Sequence, residues 1–224
     1  MKKIDKKNIA RLIDHTLLRP DATDADIILL CEEAVEHGFY AVCMHPSFVK
    51  KSRHVLSASK VKISAVIGFP LGANMSNVKQ YEALEAVFSG ADELDIVMNT
   101  GFVKSHNWEA VEKEVTDIVT ITPGVIHKII IETCNLTDNE KKKAALMVVK
   151  TGAEFIKTST GFGAGGAEVK DVELIKSATK GKIGIKAAGG IKTFHQVLEF
   201  VNAGATRIGT SSGIAIMKEA LKRR

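Results

Sequence analysis

The chain has 224 residues, with 31 lysines and arginines against 26 aspartates and glutamates and a formal net charge of +5. Aromatic residues make up only 5% and alanine, valine, isoleucine and glycine dominate, which suits one tightly packed domain over residues 1–224 more than a module built on aromatic anchors. The cations are scattered over helix faces instead of forming a basic patch, so nucleic-acid binding is not expected.

The basic start, Met1-Lys2-Lys3-Ile4-Asp5-Lys6-Lys7, leads into no apolar segment of a secretory signal, and no run approaches a membrane span. The three cysteines, Cys31, Cys43 and Cys134, are odd in number and widely spaced. They predict neither a disulfide framework nor a zinc site, hence a reducing, cytoplasmic setting.

A first strand is expected near Leu12–Thr16. Apolar residues at Ile27, Leu30, Cys31, Ala34 and Val35 follow at helix spacing, then a continuous apolar run over Phe39–Met44 and another over Ile63–Ile67. Val78, Tyr81, Leu84, Val87 and Phe88 recur as a helix, then comes a run at Leu94–Met98 and a helix marked by Trp108, Val111, Val115, Ile118 and Val119. Further runs lie at Lys128–Ile131, Phe155–Lys157, Ile183–Lys186 and Arg207–Gly209. Continuous runs alternating with helices are the pattern of parallel strands buried on both faces.

An internal repeat fixes the count. Gly38, Gly90, Gly152 and Gly204 each end a helix and lead into a strand, at spacings of 52, 62 and 52 residues. Each interval holds two βα units, so the expected fold is α/β: a (β/α)8 TIM barrel with a short additional N-terminal helix. Five residues beyond these glycines stand Cys43, Asp95, Lys157 and Gly209, which should share one interior layer near the C-terminal mouth. Three residues beyond stand Ala41, Glu93, Phe155 and Arg207, so Glu93 and Arg207 are expected to pair lower in the barrel as structural charges.

Active sites of this fold gather at the C-terminal strand ends. There the sequence offers Asp14 and Thr16 on strand 1, Cys43 on strand 2, Gly68 and Pro70 on strand 3, and Asp95 and Asn99 on strand 4. It adds Glu132 and Thr133 on strand 5, Lys157 on strand 6, Lys186 on strand 7, and Gly209, Ser211 and Ser212 on strand 8. Lys157 and Lys186 end neighbouring strands, where a lysine is costly without a partner or a task. An ammonium beside a second, partly desolvated lysine lowers the pKa of the latter and makes an amine nucleophile. Cys43 fits a reactive thiol or, better, a small apolar filler.

A second group of residues is suited to phosphate. Ala188-Gly189-Gly190 follows strand 7, and Gly209-Thr210-Ser211-Ser212-Gly213 follows strand 8 and opens the last helix. Backbone N–H groups there, with serine hydroxyls, form the usual phosphate site of the fold. The Thr160-Gly161-Phe162-Gly163-Ala164-Gly165-Gly166 segment after strand 6 completes that site or acts as a mobile loop. No His, Asp or Glu grouping has metal-ligand spacing.

Six segments of the chain resemble the deoxyribose-phosphate aldolase family: Ile13–Leu18, Gly68–Gly72, Glu93–Asn99, Phe155–Gly161, Ile185–Ile191 and Arg207–Ser212. The resemblance spans nearly the whole chain in order and spacing. It implies a metal-independent class I aldolase without a cofactor, which converts 2-deoxy-D-ribose 5-phosphate to D-glyceraldehyde 3-phosphate and acetaldehyde. By position, Lys157 matches the Schiff-base lysine, Lys186 the lysine that modulates it, and Asp95 the carboxylate that relays protons through water. Gly189, Gly190, Gly209, Ser211 and Ser212 fall where the family holds phosphate, and Gly161, Asp14, Thr16 and Cys43 join the expected substrate-contacting set.

Some members end in a tyrosine that assists proton transfer at the enamine, whereas the tyrosines here are Tyr40 and Tyr81. Either water with Asp95 and Lys186 suffices, or that step is slower. The rival readings are another Schiff-base sugar-phosphate aldolase or transaldolase-like barrel, and a non-catalytic phosphosugar-binding barrel. A phosphorylated sugar as ligand, no nucleic-acid or membrane partner, and a homo-oligomer, most simply a dimer, complete the expectations.

Overall fold

The computed structural model describes residues 9–222. Eight parallel strands close into a barrel in chain order: β1 (Ile13–Thr16), β2 (Ala41–Met44), β3 (Lys62–Ile67), β4 (Glu93–Val97), β5 (Ile126–Ile130), β6 (Phe155–Lys157), β7 (Gly184–Ala188) and β8 (Arg207–Thr210). β8 pairs back onto β1, with Asp14 opposite Gly209. The surrounding helices are α1 (Asp24–His37), α2 (Val49–Val55), α3 (Ser76–Phe88), α4 (Thr100–Lys104), α5 (Trp108–Ile121), α6 (Asp138–Lys150), α7 (Val169–Thr179), α8 (Phe194–Ala203) and α9 (Gly213–Lys222). This is the expected (β/α)8 architecture. The expected short N-terminal helix lies mainly outside the described residues; Ile9 and Ala10 are helical and buried.

Local chemistry sets the helix ends. Thr23 with Asp26, Thr137 with Glu140 and Thr193 with Gln196 form reciprocal capping boxes that satisfy the free N–H groups opening α1, α6 and α8. Gly38 closes α1 in the left-handed conformation and turns the chain towards β2. β2 starts at Ala41, two residues later than the apolar run suggests, because Phe39 sits in the turn and packs wholly into the core. β5 starts two residues earlier than Lys128, which places that lysine in mid-strand.

α3 lies where its periodicity predicts, but a different face is buried. Ala83 and Ala86 pack inward, together with Lys79, while Val78, Tyr81, Leu84 and Phe88 are exposed, Phe88 to 89%. Alanines let the helix backbone approach the barrel closely. Lys79 then buries its stem and donates to the Val97 carbonyl at 2.9 Å and to Glu114 of α5 at 2.7 Å. The pair is fully enclosed, so its attraction must offset the desolvation of both ions.

Glu114→Ala should strand the Lys79 ammonium and lower the unfolding free energy by about 3–5 kcal/mol. Urea melts of Glu114→Ala and of a Lys79→Met/Glu114→Leu double variant check this; the double variant should recover most of the loss.

Candidate active site

Three buried lysines near the mouth converge on one carboxylate. Asp95 on β4 accepts from Lys157 Nζ at 2.8 Å and from Lys186 Nζ at 2.7 Å, both through Oδ2. Its Oδ1 accepts from Lys128 Nζ at 2.6 Å and from Ser64 Oγ at 2.9 Å. Lys157 and Lys186 lie opposite each other in the β6–β7 ladder, so neighbouring strand ends deliver both amines to the same oxygen. The four-residue layer inferred from the glycine repeat is present. Cys43 Sγ lies 3.8 Å from Asp95, and a side chain at Gly209 would meet the Lys186 stem at 3.0 Å.

The expected deeper pair is also found, with Arg207 Nη1 3.3 Å from Glu93 Oε2. Arg207 additionally donates to Asp14 at 2.8 Å, and its guanidinium lies 3.5 Å from the centre of the Tyr40 ring. Asp14 lies 2.5 Å from Lys186 Nζ, joining the two tiers. Asp14, Glu93 and Asp95 therefore face Lys128, Lys157, Lys186 and Arg207 in one buried network.

Lys128 and Ser64 were missed as site residues. Lys128 also lies 2.6 Å from Glu93, so it ties the lower tier to the upper. The signal was available: a lysine within His127-Lys128-Ile129-Ile130 is as costly as the lysines at the strand ends.

The network sets the protonation states. Burial alone would neutralise Asp95, but the ammonium groups of Lys128, Lys157 and Lys186 outweigh it and hold its carboxyl well below the usual range. Asp14 is treated the same way by Lys186, Arg207 and Lys128, and falls to about 2 despite burial. Burial opposes the charge on Lys186, yet the Asp14 and Asp95 carboxylates push its pKa upward. Lys186 is thus held as an ammonium. Burial raises the Cys43 thiol, which packs with Leu18, Val66 and Phe69 as an apolar filler.

Above the network opens a cavity of about 380 Å³. Its lining includes Lys157, the apolar Leu17, Leu18 and Phe162, the small residues Gly161, Gly189, Gly190, Gly209 and Ser211, and Thr16, Arg19 and Lys192. Asp14, Asp95, Cys43 and Lys186 lie outside the lining, buried in the barrel. Ser212 falls just outside the lining, and its N–H donates to Thr210 Oγ1 at 2.9 Å. Gly189 is required for a close approach: its φ is +93°, and the loop after β6 presses on it through Gly166. Among the described residues, no three His, Cys, Asp or Glu side chains converge to hold a metal ion.

A family model described as DeoC/LacD family aldolase matches residues 8–219. The deoxyribose-phosphate aldolase of Thermococcus kodakarensis is 50% identical over 221 residues, covering 97% of this chain and 99% of its own length. That of Streptococcus sanguinis is 47% identical over 208 residues, covering 93% and 94%. Among solved structures, the aldolase QR15 superimposes with a TM-score of 0.92 at 45% identity, covering 100% of this chain and 98% of its own. The tetrameric deoxyribose phosphate aldolase from Aeropyrum pernix gives 0.91 at 34% identity, covering 98% and 93%.

The lowered carboxyl groups predict an acid limb of stability. Asp14 binds its proton at about 2 in the fold against 3.8 ordinarily, so its contribution is complete above about pH 4 and is lost as pH falls towards 2. Urea midpoints measured between pH 7 and pH 2 should hold level and then drop below about pH 4. Asp14→Asn should be less stable at pH 7 and show a shallower acid limb.

Proposed function

Because the chain belongs to the DeoC/LacD family of aldolases, we propose that it reversibly cleaves 2-deoxy-D-ribose 5-phosphate to D-glyceraldehyde 3-phosphate and acetaldehyde. The observation that carries this reading is that Lys157, held on Asp95 beside Lys186, lines a cavity that also carries Gly161, Gly189, Gly190, Gly209 and Ser211 with the apolar Leu17, Leu18 and Phe162. The glycine and serine groups suit a phosphate and the apolar side chains suit the two-carbon fragment.

Lys157 is the nucleophile. Of the three lysines on Asp95, it alone lines the cavity. Its lone pair attacks the open-chain aldehyde carbon, and loss of water gives a protonated imine. That imine accepts the electron pair of the bond between the second and third carbons, while the proton of the 3-hydroxyl passes to the water held by Asp95, from which Lys186 is recharged once it has protonated the enamine. The enamine is then protonated, and hydrolysis of the resulting imine frees acetaldehyde and restores the Lys157 amine.

Asp95 stays ionised throughout, so its part is to fix the amines of Lys157 and Lys186 on one oxygen and to accept from water. Lys186, held as an ammonium between two carboxylates, is the proton donor of the relay. Gly161, Gly189, Gly190, Gly209, Ser211 and Ser212 hold the phosphate, and that grip orients the bond to be broken. No described helix is long and apolar enough to cross a membrane, and Cys31, Cys43 and Cys134 are free thiols, which supports a cytoplasmic enzyme acting as one (β/α)8 domain.

A homodimer is the assembly that best covers the outer face of α3. Val78, Tyr81, Leu84 and Phe88 on that helix, with Leu71 and Met75 just before it, are large apolar side chains between 43% and 89% exposed. A second copy laid across the same helix in a two-fold contact matches apolar face to apolar face without a complementary partner surface.

Borohydride reduction with acetaldehyde should add a two-carbon group at Lys157, located by peptide mapping, and release of acetaldehyde from deoxyribose phosphate should accompany it. Lys157→Ala should abolish both; trapping at another lysine would reassign the nucleophile. Tyr81→Glu/Phe88→Glu should halve the mass measured by light scattering while keeping the circular dichroism of the fold. An unchanged mass would remove α3 from the interface.

A further inference from the structure

We propose that Glu132, which follows β5, is a positioning residue: it fixes the loop after β6 so that the backbone at Gly161 faces the phosphate end of the cavity. This rests on the aldolase reading and deepens it. Glu132 is 4% exposed, yet its partners among the described residues are Thr160 N, Thr160 Oγ1 and Cys134 Sγ, none of them a cation. A buried carboxylate is expensive without a countercharge, so its geometry must be held for a purpose. Its backbone is in the left-handed region, with φ +49° and ψ +70°, which a non-glycine residue seldom adopts. That turn aims the side chain away from β5 and across to the next strand's loop.

The contacts form a chain to the ligand end. Both Glu132 carboxylate oxygens accept from the Thr160 N–H, at 3.2 and 3.3 Å, and one also accepts from the Thr160 hydroxyl. The same hydroxyl accepts from Phe162 N at 3.0 Å, so Thr160, Gly161 and Phe162 are held as one turn. Gly163 lies against the carboxylate, where a side chain would meet it at 3.3 Å. Further along, Ala167 N donates to Gly189 O at 3.0 Å. The glycine-rich loop is therefore pinned by Glu132 on one flank and by the loop after β7 on the other. Between the two anchors, Thr160, Gly161 and Phe162 line the cavity. Such a glycine-rich stretch has little rigidity of its own, so the anchor decides whether its N–H groups are ready for an anion or must be ordered on binding.

The test separates the two ends of the substrate. Full-length Glu132→Ala should raise KM for 2-deoxyribose 5-phosphate about tenfold, from the loss of hydrogen bonds to a charged acceptor. Glu132→Gln, which keeps one acceptor oxygen, should show a smaller rise. For both variants, kcat/KM for unphosphorylated 2-deoxyribose and the rate of imine trapping by acetaldehyde should stay within about twofold of the parent. Thr160→Val, which removes the hydroxyl but leaves the carboxylate, should move KM in the same direction and serves if Glu132→Ala does not fold. A parallel loss on phosphorylated and unphosphorylated substrates in Glu132→Gln, or an unchanged KM in all three variants, would overturn the proposal. Failure of the parent protein to trap acetaldehyde at Lys157 would instead strike the aldolase reading itself.

Discussion

The Asp95 carboxylate is the constraint on which the site depends. Burying three lysines at one end of a barrel is prohibitive unless an anion lies between them, and Asp95 supplies it to Lys128, Lys157 and Lys186 together. The same carboxylate does two jobs with one geometry. It keeps the lysines inside the fold, and it leaves their partners unequal, because Lys186 has a second carboxylate in Asp14 while Lys157 does not. Structural neutralisation and chemical differentiation are therefore the same arrangement of charges.

That arrangement continues downward. Lys128 bridges Asp95 to Glu93, and Arg207 bridges Glu93 to Asp14, so the upper and lower tiers form one network. The network is rigid because its members stand on strands of a closed sheet, with ladder partners on both sides. What is adjustable lies above it, in the loops after β6, β7 and β8. Phe162 in the first of these meets Phe69 edge-on at 5.3 Å, which links the glycine-rich loop to the loop after β3 across the mouth. Charges carried on strands, with loops lining the cavity above them, are the usual division of labour at the C-terminal face of this fold.

The outside of the barrel follows other rules. α3 is held by small residues and by the buried pair of Lys79 and Glu114, leaving its large apolar residues in water. Its periodicity alone is ambiguous, because an apolar stripe at helix spacing is required equally by a core and by a subunit contact. Alanine at positions 83 and 86 is the finer clue, since close helix–barrel packing needs small side chains where the two backbones approach.

Residue spacing along the chain was enough to read the eight-strand count, the layer shared by Cys43, Asp95, Lys157 and Gly209, and the pairing of Glu93 with Arg207. Glycines at helix ends recur with the unit of the fold, and side chains alternate along a strand, so equal offsets give equal depths. It also placed Lys157 and Lys186 together, because neighbouring strands in a barrel end side by side. The folded barrel alone reveals that Lys128 reaches the same carboxylate from mid-strand, that Asp14 claims Lys186, that Glu132 crosses to Thr160, and that α3 turns Tyr81 and Phe88 outward. Those outcomes depend on strand tilt, on long side chains that can reach more than one partner, and on which face of a helix fits the barrel. Periodicity along the chain carries none of these quantities; they are set when the closed sheet fixes the distances between residues far apart in sequence.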